Sequence, residues 1–275
     1  MKRFVRHRFR SRSVDRLLRQ ALRQWHSHDG WRAVEALQRR GSPALLARVT
    51  ALVSSPGARR RAVGLSIAAQ LMRREGGEYV PYAESATQAL LLRGLSDPHH
   101  DVVRAAVAGL GHRPHGASVE ALLRLSTHPD ERMRWQVAVA LGSYEEPEAI
   151  VGLIRLAADA SDEVRDWATF GLGSLRLDDT PEIRAALRRN LHDPDIDVRG
   201  EALVGLARRR DEGIVELLIE RLTPDCHVYE LDAAEELADP RLVTPLEMMA
   251  VGTGAADPYW RSRVGDALQA CREAG

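Results

Sequence analysis

The sequence predicts an all-α solenoid, a stack of similar helix pairs, and three observations support this fold class. The segment DEVRDWATFGLG, which begins at Asp162, returns in altered copies along the 275-residue chain. Each copy belongs to a unit with two stretches of helical apolar spacing, and no stretch shows the two-residue period of a strand. A leucine near the end of each copy keeps a step of 31 or 34 residues, at Leu110, Leu141, Leu172, Leu206, Leu237 and Leu268. A fixed period of this length indicates stacked repeats.

The first 28 residues are predicted to form a basic capping region ahead of the repeats. MKRFVRHRFRSRS has no apolar segment of the kind found in secretory signals, and RLLRQALRQW has the spacing of an amphipathic helix. Because the end of a solenoid needs a polar outer face, a cap accounts for this region. Binding of nucleic acid or anionic lipid by its arginines is the open alternative.

Repeats are predicted for residues 29–275, with room for about seven or eight helix pairs. They divide into degenerate units up to residue 84, clear units over 85–250 and a degenerate last unit over 251–275. The segment EGGEYVPYAES, from Glu75 to Ser85, interrupts this array. It is either a loop on a binding face or a plain connector.

The two helices of a unit have recognisable ends. The first begins at a proline or an acid, in PEAIVGLIRLAAD from Pro147, PEIRAALRRNLHD from Pro181 and EGIVELLIERLTPD from Glu212. Proline at the first helical position and acids in the first turn both favour a helix start there. The second helix ends in glycine, and left-handed glycine caps are predicted at Gly111, Gly142 and Gly173.

The turn and second helix of these units resemble a known family. The pattern D-P-D-x-x-V-R-x-x-A-x-x-A-L-G is similar to HEAT repeats of the short bacterial type that also occurs in phycobilin lyases, and the resemblance is strong from about residue 84 to 250 and weaker to 272. The resemblance implies a right-handed superhelix of antiparallel helix pairs, with the second helices on the concave side. It also implies a structural ladder in which the turn Asp pairs with the helix Arg, as Asp159 with Arg165 and Asp193 with Arg199.

The formal net charge of zero conceals an asymmetry along the chain. Residues 1–75 contain 18 basic and four acidic side chains, a balance of +14, so the remainder carries −14. Such an asymmetry concerns partners or end-to-end association. Cys226 and Cys271 lack metal or redox spacing, so we expect reduced thiols in a cytoplasmic protein. No apolar run reaches the ~20 residues that a membrane span requires.

No metal site, cofactor or catalytic motif is expected. Histidines occur in HSHD at His26, HHD at His99 and HRPH at His112, without the i, i+4 spacing beside a carboxylate that helical metal sites use. The HEAT-repeat deoxyhypusine hydroxylases hold iron on His-Glu pairs, and this sequence contains no such pair. Nucleophile elbows, phosphate loops and dinucleotide motifs are missing as well.

A second enzymatic comparison comes from the HEAT-like alkylpurine DNA glycosylases, which use tryptophans and an aspartate in a basic groove. Trp135, Asp166 and Trp167 are similar in kind to those residues. The groove expected here is acidic, however, and an acidic groove repels a phosphate backbone. We therefore expect a protein that is not an enzyme.

The face of the second helix that points away from the core supplies the candidate binding surface. Counted from the turn Asp, the sixth, tenth, thirteenth and fourteenth positions are core, and the fifth, eighth, ninth and twelfth point outward. Across four central units the outward positions hold six acids and one base. The candidate residues are Trp135, Glu163, Asp166, Trp167, Phe170, Asp197, Glu201, Asp232 and Glu235.

Aromatic side chains surrounded by charge are typical of protein interfaces. We therefore expect a protein-binding module or adaptor, of the toxin-immunity type among other classes, that presents an acidic, aromatic-centred concave surface to a basic protein. Packing of the tryptophans between adjacent helices is the structural alternative. The functional alternatives are a lyase-like or chaperone-like protein acting on a chromophore or modified protein, and nucleic-acid binding through the N-terminal arginines.

Overall fold

The computed structural model describes residues 14–252 and 258–274. Residues 1–13, which form half of the predicted capping region, lie outside this part, as do residues 253–257 of the predicted last unit. The chain divides into two compact units, Met1–Glu146 and Pro147–Gly275. No helix in the described stretches is both long and apolar enough to cross a membrane.

The N-terminal unit is built from helix pairs that follow a leading pair of helices. Its helices are α1 (residues 14–23), α2 (His28–Gln38), α3 (Pro43–Val53), α4 (Ala58–Ala69), α5 (Glu84–Gly94), α6 (His100–His112), α7 (Val119–Leu125) and α8 (Glu131–Leu141). Short turns join the two helices of each pair, and the second helices α4, α6 and α8 pack in succession against one another. This succession is the stacking that the repeat period predicts.

A short hairpin interrupts the N-terminal unit where the sequence predicted a loop. Strands β1 (Met72–Glu75) and β2 (Glu78–Pro81) pair antiparallel through a two-residue turn. Gly76 and Gly77 form that turn with φ of 57° and 101°, values that glycine adopts without strain. The expectation of no strand was therefore wrong here, because four-residue strands are too short to show a period.

The C-terminal unit repeats the helix-pair plan four times. Its helices are α9 (Pro147–Leu156), α10 (Asp162–Phe170), α11 (Pro181–Asn190), α12 (Ile196–Arg208), α13 (Val215–Arg221), α14 (Val228–Leu237), α15 (Val243–Gly252) and α16 (Pro258–Glu273). The predicted starts at Pro147 and Pro181 are observed, and Thr180 caps α11 by accepting the N–H of Ile183. The predicted start at Glu212 is a 3₁₀ turn, Glu212–Ile214, that leads into α13.

The registered leucines lie in the core. Leu110, Leu141, Leu172 and Leu206 are fully buried, and Leu237 is nearly so. Leu268, in the most degenerate copy, is only half buried, because α16 turns Val264, Ala267 and Cys271 inward instead. The alignment on leucine thus holds for five copies and loses register in the last.

The predicted left-handed glycine caps are not observed. Gly142 is right-handed, and Gly111 and Gly173 lie inside helical segments without positive φ. These glycines instead permit close helix contact. A Cβ at Gly111 would lie 3.1 Å from the Cα of Ala140, and one at Gly173 would lie 2.9 Å from the carbonyl oxygen of Glu201.

The Asp–Arg ladder connects neighbouring turns. Arg165 donates through Nε and Nη2 to the two carboxylate oxygens of Asp193, at 2.7 and 2.9 Å. Its Nη1 donates to the main-chain oxygen of Asp159 in its own turn, at 2.9 Å. Arg199 likewise donates to the main-chain oxygen of Asp193, at 2.7 Å. The resemblance implied that each Asp carboxylate pairs with the Arg of its own unit. In the structure, the carboxylate that binds Arg165 belongs to Asp193 of the next turn.

Candidate functional site

The candidate site lies on the second helices of the C-terminal unit. Helices α10, α12, α14 and α16 pack side by side in that order. Their outward faces enclose a surface pocket of about 370 Å³, which we call the acid pocket. It is lined by Phe170, Ser174, Glu201, Val204, Arg208, Tyr229, Asp232, Glu235, Glu236 and Arg263.

Four of the nine predicted residues line the acid pocket, namely Phe170, Glu201, Asp232 and Glu235. Three more adjoin it. The charges of Asp166 and Asp197 act on Glu201, and Trp167 packs edge-to-face on Phe170 with ring centroids 5.8 Å apart. The last two do not line it: Glu163 is exposed on the first turn of α10, and Trp135 is half buried on α8 of the N-terminal unit.

Glu201 is the central carboxyl group of the pocket. It is half buried on α12, and its Oε2 accepts a hydrogen bond from Oγ of Ser174 at 3.1 Å. Burial raises the pKa of Glu201 to about 7, with the Asp166 charge adding to the rise and the Ser174 hydrogen bond opposing it. Glu201 therefore changes its charge near neutral pH.

Asp166, on the neighbouring helix α10, has a similar environment. Burial, followed by the charges of Asp197 and Asp195, raises the pKa of Asp166 to about 6. Within the described part of the chain, no donor hydrogen-bonds to this carboxylate. Burial makes the charged form of a carboxyl group costly unless a basic group pairs with it. A cation that binds next to Glu201 and Asp166 therefore stabilises their charged forms.

Tyr229 forms one wall of the pocket and was not predicted. Its hydroxyl donates to Oδ1 of Asp197 at 3.1 Å, and its pKa is raised, first by burial and then by Glu201 and Asp197. The ring lies over Gly200, where a Cβ would come within 2.0 Å of it. In the repeat alignment Tyr229 occupies the sixth position, held by Val164 in the earlier unit, and was therefore assigned to the core.

Two arginines in the pocket were also missed. Arg263 on α16 donates to Asp232 and Glu235, the latter at 2.7 Å. Arg208 donates to Glu236 at 3.0 Å. Arg263 falls at the ninth position of the last copy, so extending the same count by one unit finds it. These two arginines offset most of the charge of three acids on one side of the pocket, and the Glu201 side stays acidic.

The rim of the pocket continues into an unusual helix end. After α10 the chain makes a π-helical turn, Gly171–Leu175, which brings Ser174 to Glu201. The buried side chain of Arg209 donates to the carbonyl oxygens of Leu172 and Gly173, which closes this turn. Leu175, the last residue of this turn, is 49% exposed, and Leu177 in the loop beyond it is 89% exposed. Two exposed leucines therefore follow Ser174, which lines the pocket, along the chain.

The groups that surround the pocket suit binding by charge and by aromatic stacking. Across residues 14–252 and 258–274, no three His, Cys, Asp or Glu side chains are placed to hold a metal ion. Burial raises the pKa of Cys226, and likewise of Cys271, to about 11, so both thiols are protonated at neutral pH.

Comparison with known proteins adds the family context. A family model described as HEAT repeats matches residues 88–173 and 152–238, which together cover more than half of the chain. Protein YibA of Escherichia coli K12 is 32% identical over 119 residues, and the same protein of strain O157:H7 matches equally. This match spans 42% of the chain and 42% of the length of YibA.

Two solved structures show similar folds. The X-ray structure of Escherichia coli YibA gives a TM-score of 0.72 at 22% identity, over 94% of this chain and 92% of that one. A crystal structure of an engineered protein gives 0.54 at 18% identity, over 94% of this chain and 78% of that one. Identities this low show the fold alone, and they confirm the predicted all-α solenoid.

Proposed function

Because this chain belongs to the HEAT-repeat family, we propose that it is a non-catalytic protein-binding module that receives a basic side chain of its partner in the acid pocket. One observation carries the proposal: Glu201, in a pocket with Phe170 and Tyr229, and the neighbouring Asp166 are half buried with raised pKa, and no arginine or lysine among the described residues is hydrogen-bonded to either. A cation from a partner supplies the missing counter-charge. The proposal places the module in the cytoplasm, where its thiols stay reduced.

The walls of the pocket fit a guanidinium group better than an ammonium group. Phe170 and Tyr229 contribute aromatic rings, and Glu201 contributes a carboxylate. A guanidinium is planar, stacks on aromatic rings and pairs with carboxylates through two parallel hydrogen bonds. The proposed partner therefore presents an arginine-rich segment.

The surroundings of the pocket supply the apolar part of such an interface. Leu177 is almost fully exposed beyond the π-helical turn, and Trp167 packs on Phe170 at the side of the pocket. Interfaces gain most of their binding energy from a few desolvated aromatic or arginine contacts that neighbouring groups shield from water. We expect Leu177 and Trp167 to supply such apolar contacts in the complex.

The test uses a fluorescein-labelled nona-arginine peptide as the probe and fluorescence polarisation as the readout. We expect Glu201→Gln to weaken binding of the peptide about fivefold, because one charge-assisted hydrogen bond contributes about 1 kcal/mol. Glu163→Gln is the matched control, since it makes the same change on an exposed acid outside the pocket. We expect the control to bind like the wild type.

Equal weakening by both variants would show that the peptide responds to overall charge, and would overturn the assignment to the pocket. Phe170→Ala separates the contribution of stacking from that of charge. We expect this variant to bind the peptide more weakly although its net charge is unchanged. The natural partner is then sought by affinity capture from the host with wild type and Glu201→Gln in parallel. The proposal requires a basic protein that only the wild type retains.

A further inference from the structure

A second pocket, of opposite charge, lies in the N-terminal unit. It measures about 300 Å³ and is formed by helices α1, α3 and α4, which contribute Arg19, Arg48 and Arg60 respectively. Leu18 and Leu22 form part of its floor. We call it the arginine pocket. It has no part in the proposed protein-binding function, which concerns the C-terminal unit.

The arginines of this pocket are mostly without counter-charge. Arg48 pairs with Asp15, the one acid that lines the pocket. Among the described residues, the side chains of Arg19 and Arg60 have no hydrogen-bond or ion-pair partner. The adjacent Arg61 differs, because it belongs to the ladder and binds both carboxylate oxygens of Asp97 at 2.6 and 2.8 Å.

Further exposed arginines lie on two of the helices that form the pocket. Arg16 and Arg23 on α1 and Arg59 on α4 are exposed, and none of the three contacts an acid in the described parts of the chain. Like charges gathered on neighbouring helices repel one another, and an anion that binds among them relieves the repulsion. This local excess accords with the +14 balance of residues 1–75.

The start of α4 adds to the positive potential. Its N-cap is Gly57, which offers no side-chain acceptor, and its first turn contains no acid. The partial positive charge of the helix end therefore coincides with Arg59 and Arg60. Charged residues at a helix start are usually acidic, so this reversal favours an external anion.

We propose that the arginine pocket and its flanking arginines bind the phosphodiester backbone of a single-stranded nucleic acid, without reading its bases. Guanidinium groups from α1, α3 and α4 contact successive phosphates, each through paired hydrogen bonds. A membrane surface fits less well, because a membrane-binding helix needs an exposed apolar face. The apolar residues of α1 pack inward: Leu18 and Ala21 are buried, and Val14, Leu17 and Leu22 pack against the same core.

The experiment measures binding of full-length protein to labelled single-stranded DNA of about 20 nucleotides over 50–200 mM NaCl. We expect the double variant Arg19→Ala/Arg60→Ala to weaken binding about tenfold and to reduce the log–log salt slope by about 1.4, since each phosphate contact contributes about 0.7. The matched control is Arg124→Ala/Arg132→Ala, which removes two exposed arginines elsewhere in the same unit. We expect it to bind like the wild type.

Three results would overturn the proposal. The first is a wild-type protein that does not retain the DNA at 50 mM NaCl. The second is equal weakening by the pocket variant and the matched control, which would make the binding a property of net charge. The third is retention on vesicles of phosphatidylserine and phosphatidylcholine without retention of DNA, which would assign the surface to a membrane. All four substituted arginines are exposed, so circular dichroism is expected to show folded variants.

Discussion

At the scale of single residues, the acid pocket depends on how far each carboxyl group is withdrawn from water. Asp232 and Glu235 share Arg263 and keep a bound counter-charge. Glu201 and Asp166 are half buried and have no basic side chain bonded to them among the described residues, so their pKa rises towards neutrality. These four acids therefore form one pair that shares a bound arginine and one pair that is available to a partner.

The first prediction concerns the pH dependence of stability at Glu201. Its folded-state pKa of about 7 lies above its ordinary value of 4.5, so the folded protein keeps a proton that the unfolded chain releases between these pH values. Wild-type stability therefore falls as pH rises through this window. Glu201→Gln lacks the fall, and at pH 8 we expect it to be more stable than the wild type by about 1 kcal/mol after allowance for solvent screening.

Thermal unfolding at pH 4, 6 and 8 measures this difference. The two proteins are expected to have the same stability at pH 4, where Glu201 is protonated in both folded and unfolded chains. Glu163→Gln serves as the control, because its exposed side chain lies outside the pocket. A stability difference between Glu201→Gln and wild type that stays constant with pH contradicts the prediction.

The second prediction concerns the contact between Gly200 and Tyr229. A Cβ at Gly200 would lie 2.0 Å from the tyrosine ring, so Gly200→Ala must displace the ring or part α12 from α14. We expect a loss of about 1–3 kcal/mol in the free energy of unfolding, measured by urea denaturation. Gly265→Ala is the control, because no atom lies within 4 Å of its added Cβ and helix propensity gains about 0.5–1 kcal/mol.

The double variant Gly200→Ala/Tyr229→Ala identifies the cause of that loss. If the ring is what the new methyl group meets, the two substitutions together cost less than the sum of their separate effects. Strict additivity would contradict the assigned contact. Removal of Tyr229 also frees Asp197 from its hydrogen bond, and the single variant Tyr229→Ala measures the combined loss of that bond and of the ring.

At the scale of helices and turns, arginine side chains close the ends of the second helices. Arg209 is buried and bonded to no carboxylate in the described part of the chain, and its donors reach the main-chain oxygens of Leu172, Gly173, Arg176, Asp178 and Gly205. Arg113, three residues after Leu110, holds the main-chain oxygens of Ala69 and Leu71 in the same way. Each arginine thus ties its own helix to the helix end of the preceding repeat.

The third prediction tests this tie. Arg209→Leu removes the donors of several buried carbonyl oxygens, and we expect a loss of about 3 kcal/mol in the free energy of unfolding. Hydrogen exchange of residues 171–180 is expected to accelerate, because this turn loses its closing contacts. Arg124→Leu, at an exposed arginine that pairs with Glu120 on its own helix, is expected to cost at most about 0.5 kcal/mol. Similar losses in both variants contradict the tie.

What the sequence could predict at this scale follows from which signals repeat. The leucine register and the face that carries Glu201 recur in every clear unit, and the proline start recurs in two of them, so comparison between copies reveals these features. The β1–β2 hairpin has no such signal, because it occurs only once. The contacts of Arg209 have none either, because its carbonyl acceptors come together only when the turn has folded. Tyr229 was missed because its unit departs from the repeat that the prediction relied on.

At the scale of the whole molecule, the zero net charge is the sum of two opposite local excesses. The arginine pocket belongs to a stretch with a balance of +14, and the acid pocket to the stretch that carries −14. Each pocket is built from the side chains of one compact unit. A solenoid permits this division, because each repeat contacts only its neighbours and its outer residues are free to differ.

The last prediction is that the two pockets respond to separate substitutions. We expect Glu201→Gln to lower the affinity for the nona-arginine peptide about fivefold and to leave the affinity for DNA within twofold of the wild-type value. Arg19→Ala/Arg60→Ala is expected to do the reverse, because each probe contacts the side chains of one pocket. Both titrations are made at 150 mM NaCl, where the Debye length of about 8 Å screens exposed charges beyond the contact region. If either substitution changes both affinities by the same factor, the charges act as one field over the molecule, and neither pocket is a site of its own.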